Sequence, residues 1–455
     1  MNDLESSTTV AVQSGGPVQG TIRPPGSKSL TNRALLCAAA TGGGCVLDGA
    51  LQSEDTAVML AALEQLGVVI DSRHGGRTLE VNGTALTARH DRQPMELYVA
   101  NSGTTIRFLT AFLSALGGHY RLHGVVRMHQ RPIGELLDAV SMVVDGEVSA
   151  QSPQGCPPVL IHSRRWRGGQ MTVGGNVSSQ YLSGLLMAAP LASVATEIRV
   201  EGELVSKPYV QMTCEVMRHF GVEIESSPTL DHFMIPAAAR YACEQYAIEP
   251  DASAASYFWA AAAITGGEVC VRGLSSQALQ GDVAFVRVLE QMGCEVRDDG
   301  DSITVVGRPL RGVDVNMNAI SDTVQTLAVV ALFAEGPTRV RGVAHNRFKE
   351  TDRIADLACE LRKLGAEVEE ADDGLCIEPL KSAQQQTFGG ATLATYHDHR
   401  MAMSLSLAGL RLPGVQIQNP SCTAKTYPDY FADLEKLIGR PHHWRNYSTE
   451  TASPD

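Results

Sequence analysis

The stretch from Ser102 to Gly118, SGTTIRFLTAFLSALGG, opens on small and polar residues, runs through Ile, Phe, Leu and Ala on nearly every side of a helix, and stops at glycine. A helix that is apolar all round has to be buried. Five other segments read the same way: GSKSLTNRALLCAAATGG, SSQYLSGLLMAAPLAS, SAASYFWAAAAITGG, SDTVQTLAVVALFAEG and DHRMAMSLSLAGLRLPG. The six end at Gly43, Gly118, Ser193, Gly267, Gly336 and Gly414, in steps of 75, 75, 74, 69 and 78 residues. So regular a period marks an internally repeated architecture.

A second helix type keeps the same phase. LEQLGVVI, VMRHFGVEI, VLEQMGCEV and LRKLGAEV place apolar residues at helical spacing up to Gly67, Gly221, Gly293 and Gly365, and a strand-like alternating run follows each glycine. LLDAVSMVVDGEV, around Gly146, reads as a weaker copy. The repeat thus holds one buried helix, one amphipathic helix and several short strands. Six copies make two α/β globes of three units each, with helices inside and sheets outside.

The bulk numbers fit such a molecule. A chain of 455 residues exceeds one ordinary core. Its net charge of −13 argues against nonspecific nucleic-acid binding, so an anionic ligand must be held by locally clustered cations. Ten cysteines stand without Cys-x-x-Cys or metal-type spacing, which predicts no zinc site and no disulfide framework and suits a reducing cytoplasm. MNDLESSTTVAVQ shows neither signal-peptide nor transit-peptide pattern. The weakly polar run Leu182–Ala195 is interrupted by Pro190 and too short to span a membrane.

Cations recur where buried helices begin: Lys28 and Arg33 on the first, Arg107 on the second, His397, His399 and Arg400 at the sixth. The helix dipole disfavours a cation there by ~0.3–1 kcal/mol unless an anion joins it. Repetition in one phase points to a shared anion pocket. In HNRFKETDRIADLACELRKLGAEV the stripe Ile354, Leu357, Leu361, Leu364 steps back onto Glu350, flanked by Lys349 and Arg353. A carboxylate continuing a buried face and an exposed Glu350–Arg353 pair explain that spacing equally well. Ser178, Ser179 and Gln180, Ser206 to Tyr209, and Lys425 are open to the same two readings, and Asp322 in SDTVQT reads as an ordinary N-cap. A P-loop is excluded, because prolines precede Gly26 and Ser27 separates it from Lys28.

In their order and spacing, PGSKSLTNRALL, NSGTTIRFL, RPIGELLDA, VSSQYLSGLL, LVSKPY, DASAASYF, KETDRIADLACELRKLGAEVE, DHRMAM and CTAKTYPDYF resemble the 5-enolpyruvylshikimate-3-phosphate synthase family, from about Gly20 to Gly439. The resemblance implies two similar globes of three βαβαββ units, joined by two crossover strands and closing on substrates, with the N-terminal stretch part of the second globe. The expected division is 27–246 for the shikimate 3-phosphate globe and 10–26 with 247–445 for the globe carrying phosphoenolpyruvate and the catalytic carboxylates, with tails at 1–9 and 446–455.

The implied reaction moves the enolpyruvyl group of phosphoenolpyruvate to the 5-hydroxyl of shikimate 3-phosphate. By similarity, Lys28, Ser29, Arg33, Ser178, Ser179, Gln180, Ser206 and Tyr209, with Asp322 and Lys349, contact shikimate 3-phosphate. Lys28, Gly103, Arg131, Gln180, Arg353, Arg400 and Lys425 surround phosphoenolpyruvate, and Asn101 and Arg107 organise that corner. Asp322 is the implied base for the attacking hydroxyl. Glu350 protonates the methylene carbon, with Lys28, Lys349 and His399 as supporting catalytic groups. No metal or cofactor is implied, and a cytoplasmic monomer without nucleic-acid or membrane partners is expected.

Ser102, Phe108 and Gln130 depart from the residues common in the family and leave glyphosate sensitivity undecided. The related transferase acting on UDP-N-acetylglucosamine carries a reactive cysteine five residues before an Arg-Pro pair. Val126 occupies that place before Arg131-Pro132. A noncatalytic anion-binding or RNA-end-binding protein is the rival of another class, disfavoured by the net charge and by the pairing of Asp322 with Glu350.

Overall fold

A computed structural model describes residues 8–237 and 239–446. They form two compact units. The first comprises Pro25–Asp251 with Leu279–Gly281, and the second takes the described residues up to Pro24, Ala252–Ala278 and those from Asp282 onward. Each unit carries three four-stranded sheets.

The helices of the first unit are α1 (Lys28–Ala39), α2 (Glu54–Gln65), α3 (Gly103–Leu116), α4 (Gly134–Ser141), α5 (Ser179–Ala188) and α6 (Lys207–His219). Those of the second are α7 (Ala252–Thr265), α8 (Phe285–Gln291), α9 (Val324–Ala331), α10 (Ala355–Lys363), the short α11 (Ser382–Gln386), α12 (His399–Ser406) and α13 (Tyr430–Ile438).

One repeat shows the pattern. Strand Met95–Tyr98 leads through α3 to Gly118–His123, which pairs parallel to it, and α4 leads to the antiparallel strands Val144–Ser152 and Cys156–Trp166. The sheet order is first, second, fourth, third. Three of the six sheets borrow a strand from elsewhere in the chain. Gln245–Ala247 opens the first repeat beside Gly44–Asp48. Gln19–Ile22 opens the fourth beside Glu268–Arg272, and Thr8–Ala11 is inserted between Val415–Gln418 and His443–Asn446 in the sixth. The N-terminal stretch therefore builds sheets of the second unit. Of the expected tails, 1–7 and 447–455 lie outside the described residues, whereas Thr8, Thr9 and Asn446 belong to strands.

The small-residue helices α1, α3, α5, α7, α9 and α12 are buried along almost their whole length. Two polar groups of this core are paired across the fold: the Trp166 indole donates to Ser114 Oγ on α3 at 2.9 Å, and the Trp259 indole on α7 donates to the Ile303 carbonyl at 3.1 Å. Amphipathic α2, α6, α8 and α10 stop at Gly67, Gly221, Gly293 and Gly365, all in the left-handed region that glycine enters freely. A further copy, α13 capped by Gly439, lies 74 residues after Gly365 and lacked the following alternation because Arg440 and Pro441 come next. The weak copy differs from expectation. α4 ends at Ser141, and Gly146 sits inside the next strand rather than stopping a helix.

Candidate active site

In the first unit the N-termini of α1, α3 and α5 collect the cations. Ser27 caps α1 by accepting from the Leu30 amide, and Lys28, first residue of the helix, pairs with Asp55 of α2 at 3.3 Å. Arg33, one turn on, is 1 % exposed. Its guanidinium donates to Thr213 Oγ1 (2.7 Å), the Ser29 carbonyl (2.9 Å), Ser183 Oγ (3.2 Å) and the Tyr209 carbonyl (3.2 Å), and it lies over the Phe108 ring at 5.1 Å. These acceptors are neutral, and burial lowers the pKa of Arg33 to about 10. Such an ion is costly until an anion shares the space.

A second cationic corner forms at the mouth of α3. Arg131 donates to the Asn101 carbonyl at 2.9 Å and to Asn101 Oδ1 at 3.2 Å. Arg107 donates to Gln180 Oε1 at 2.7 Å and stacks over Tyr181. A Cβ on Gly103 would stand 2.4 Å from Arg131 Nη2 and 3.0 Å from Arg107 Nη1. The two guanidinium nitrogens therefore lie no more than about 5.4 Å apart. Like charges at that separation repel by about 3 kcal/mol at an effective dielectric of about 20. Their pairing beside the positive end of a buried helix is an anion-binding arrangement. Ser178 caps α5 by accepting from the Gln180 amide, with Ser179 beside it, and Ser206, in the left-handed region, precedes α6.

The second unit holds an ion-pair network. Arg353, 2 % exposed, donates to Asp398 Oδ2 (2.7 Å) and Oδ1 (3.2 Å), Glu350 Oε2 (2.8 Å) and Asp322 Oδ1 (3.2 Å). Burial opposes its charge, but Asp398, Glu350 and Asp322 outweigh burial and hold its pKa above the ordinary arginine value. Arg400 donates to Asp322 Oδ2 at 2.7 Å, and Lys425 Nζ stands 3.7 Å from Glu350 Oε1. His399 Nδ1 is 3.7 Å from Asp398 Oδ1. Lys349 closes the 3₁₀ turn Ala344–Phe348. That turn buries His345, whose pKa falls to about 3 through desolvation first and the Lys349 charge second.

Of the residues expected in the site, Lys28 to Tyr209 belong to the first unit and Asp322 to Lys425 to the second. Two local expectations change. Asp322 is not an N-cap: Thr323 precedes α9, and the Asp322 carboxylate goes to Arg353 and Arg400. Glu350 lies ahead of α10 rather than on its stripe, and its pair with Arg353 is buried instead of exposed. Three residues were missed. Asp398 is wholly buried, caps α12 through the Arg400 amide and grips Arg353 with both oxygens. Asp55 partners Lys28. Asn346 donates to the Ser321 carbonyl and accepts from the Arg353 amide, tying the 344–348 turn to the segment carrying Asp322.

The model of the family described as EPSP synthase (3-phosphoshikimate 1-carboxyvinyltransferase) matches residues 12–434. The chain belongs to the EPSP synthase family. A relative from Nostoc punctiforme named 3-phosphoshikimate 1-carboxyvinyltransferase is 46% identical over 423 residues, covering 93% of this chain and 97% of that one. A chloroplastic relative of the same name from Arabidopsis thaliana is 44% identical over 452 residues, covering 96% and 86%. Among solved structures, EPSP synthase from Acinetobacter baumannii superposes with a TM-score of 0.78 at 25% identity, covering 96% of this chain and 99% of that one. The enolpyruvyl transferase NikO from Streptomyces tendae, at 0.76, 19% identity and 97% and 100% coverage, shares the fold.

Ser102 and Phe108 have structural roles here. Ser102 is fully buried and caps α3 through the Thr105 amide, and Phe108 is the ring beneath Arg33. No helix among the described residues is long and apolar enough to cross a membrane.

Proposed function

We infer that this chain is a 3-phosphoshikimate 1-carboxyvinyltransferase: it transfers the enolpyruvyl group of phosphoenolpyruvate to the 5-hydroxyl of shikimate 3-phosphate and releases phosphate. The chemistry needs a proton delivered to the methylene carbon and one withdrawn from the attacking hydroxyl, with both substrates anionic. Two carboxylates in separate roles and fixed cations meet that need.

The observation that carries the assignment of roles is that one buried guanidinium, Arg353, holds both acids, Asp322 at 3.2 Å and Glu350 at 2.8 Å. Fixed this way, the two carboxylates need little reorganisation during reaction. Asp322 is the base on the hydroxyl and Glu350 the acid to carbon, with Lys28, Lys349 and His399 in support. Arg131, Gly103, Asn101, Arg107, Gln180, Arg353, Arg400, Lys28 and Lys425 receive phosphoenolpyruvate. Shikimate 3-phosphate falls to Lys28, Ser29, Arg33, Ser178, Ser179, Gln180, Ser206 and Tyr209, with Asp322 and Lys349. The first unit then serves shikimate 3-phosphate, and the second unit carries the acids. A cytoplasmic monomer is part of the same reading.

The test is phosphate release from the purified chain. Release only when both substrates are present supports the reading; no release under those conditions removes it, and binding of both ligands without turnover would favour the anion-binding rival.

A further inference from the structure

Glu360 lies in the middle of α10 and is wholly buried. Its oxygens collect four donor contacts: Lys363 Nζ at 2.8 Å from each, the Ala394 amide at 2.9 Å and the Tyr396 hydroxyl at 2.7 Å. The last two come from a short segment of unusual backbone. Tyr396 (φ 53°) and His397 (φ 56°) are consecutive non-glycine residues in the left-handed region, and Asp398 follows them. A conformation of this kind persists only when its surroundings over-determine it. Here the clamps are Glu360 on one side, Asn419 Nδ2 against His397 Nδ1 at 3.0 Å on the other, and the Asp398 amide donating to the Thr395 carbonyl at 2.8 Å.

What the turn delivers is Asp398, which caps α12 at Arg400 and takes Arg353 with both oxygens. The packing of α10 does not call for a buried acid, since Leu357 and Leu361 already fill its inner face and buried ion pairs add little stability over apolar residues. Burial first, then Glu360 and Cys359, raise the Tyr396 pKa, so the phenol stays protonated and remains a donor.

We propose that Glu360 and Tyr396 are positioning residues. By clamping the left-handed turn they set Asp398, and through it the Arg353 guanidinium and the first turn of α12 that carries Arg400, at the geometry the reaction uses. This rests on the function inferred above.

The test uses the full-length chain with Tyr396→Phe, which keeps the ring and removes the hydroxyl, Glu360→Gln, and the double variant. Tyr396→Phe is expected to lower kcat/KM for phosphoenolpyruvate by roughly tenfold or more while leaving KM for shikimate 3-phosphate unchanged. Amide hydrogen exchange across residues 394–400 is expected to quicken by about tenfold, and melting to shift by no more than a few degrees. Because Tyr396 acts through its bond to Glu360, the double variant should be no worse than the more impaired single one.

Kinetic constants within about twofold of wild type in Tyr396→Phe, or losses that add in the double variant, would overturn the proposal. If the wild-type chain releases no phosphate with both substrates, the functional reading fails on its own. The exchange measurement then decides the clamp: quickened exchange at 394–400 upholds it, and unchanged exchange overturns it.

Discussion

Gly103→Ala separates the anion corner of α3 from the stability of its helix. The substitution adds one methyl group in the first turn. By propensity alone it should stabilise the helix by roughly 0.5–1 kcal/mol. The new Cβ, however, would stand 2.4 Å from Arg131 Nη2 and 2.8 Å from its Cζ, where ordinary contact begins near 3.4 Å. The guanidinium must therefore move by about 1 Å, which breaks its 2.9 and 3.2 Å bonds to Asn101. A displacement of that size in a positioning group costs on the order of 10²-fold, or about 2.7 kcal/mol of transition-state binding. The expected result is kcat/KM for phosphoenolpyruvate lowered by about two orders of magnitude, KM for shikimate 3-phosphate nearly unchanged, and a melting temperature equal to wild type or higher. Steady-state kinetics in both substrates and a thermal melt read all three. A variant with wild-type phosphoenolpyruvate kinetics would show that the Arg131–Arg107 corner does not bind the reacting anion.

Lys28→Met should abolish turnover with the fold retained, and adding Asp55→Asn should recover stability lost with the 3.3 Å pair but not activity; near-normal activity in the single variant takes Lys28 out of the site. Glu350→Gln should lower kcat by about 10²–10⁴-fold with little change in substrate binding, and an unchanged turnover number reassigns the proton donor. His345, at about 3 in the folded chain against an ordinary 6.5, makes the unfolded chain bind more protons between those values. Its contribution to stability is full above about pH 6.5 and lost as pH falls toward 3, so a His345→Gln variant should show a flatter pH dependence of its denaturation midpoint across that window. The same slope in both proteins would mean that His345 is not buried neutral.

The sixfold architecture was legible because both helix types carry their burial in composition: an all-apolar surface in one, a stripe ending at glycine in the other. The borrowed strands were not. Thr8–Ala11, Gln19–Ile22 and Gln245–Ala247 are three or four residues long, too short for a periodic signal, and their partners lie about two hundred residues away or more. Nothing local distinguishes a strand that closes its own repeat from one that closes another. The resemblance supplied the second-globe placement of the N-terminus that the repeat count could not.

Two aspartates set the limit for the site. Asp322 and Asp398 both stand just before a buried helix; the sequence reading takes Asp322 for an N-cap and does not single out Asp398. Only Asp398 caps, at the Arg400 amide, and it grips Arg353 as well. Asp322 is not at the cap position of α9, because the chain enters that helix through a 3₁₀ turn that leaves Thr323 at the boundary, and the Asp322 carboxylate meets Arg353 and Arg400. The difference arises from where the cations lie. The Asp322 oxygens are taken by the Arg353 and Arg400 guanidiniums in charge-assisted bonds. Arg353 comes from thirty-one residues beyond Asp322 and forty-five before Asp398, so the competition is settled by tertiary packing. A sequence reading finds the cations by their improbable place at helix mouths. It finds their acid partners only where those acids break a local rule, as Glu350 did and Asp398 did not.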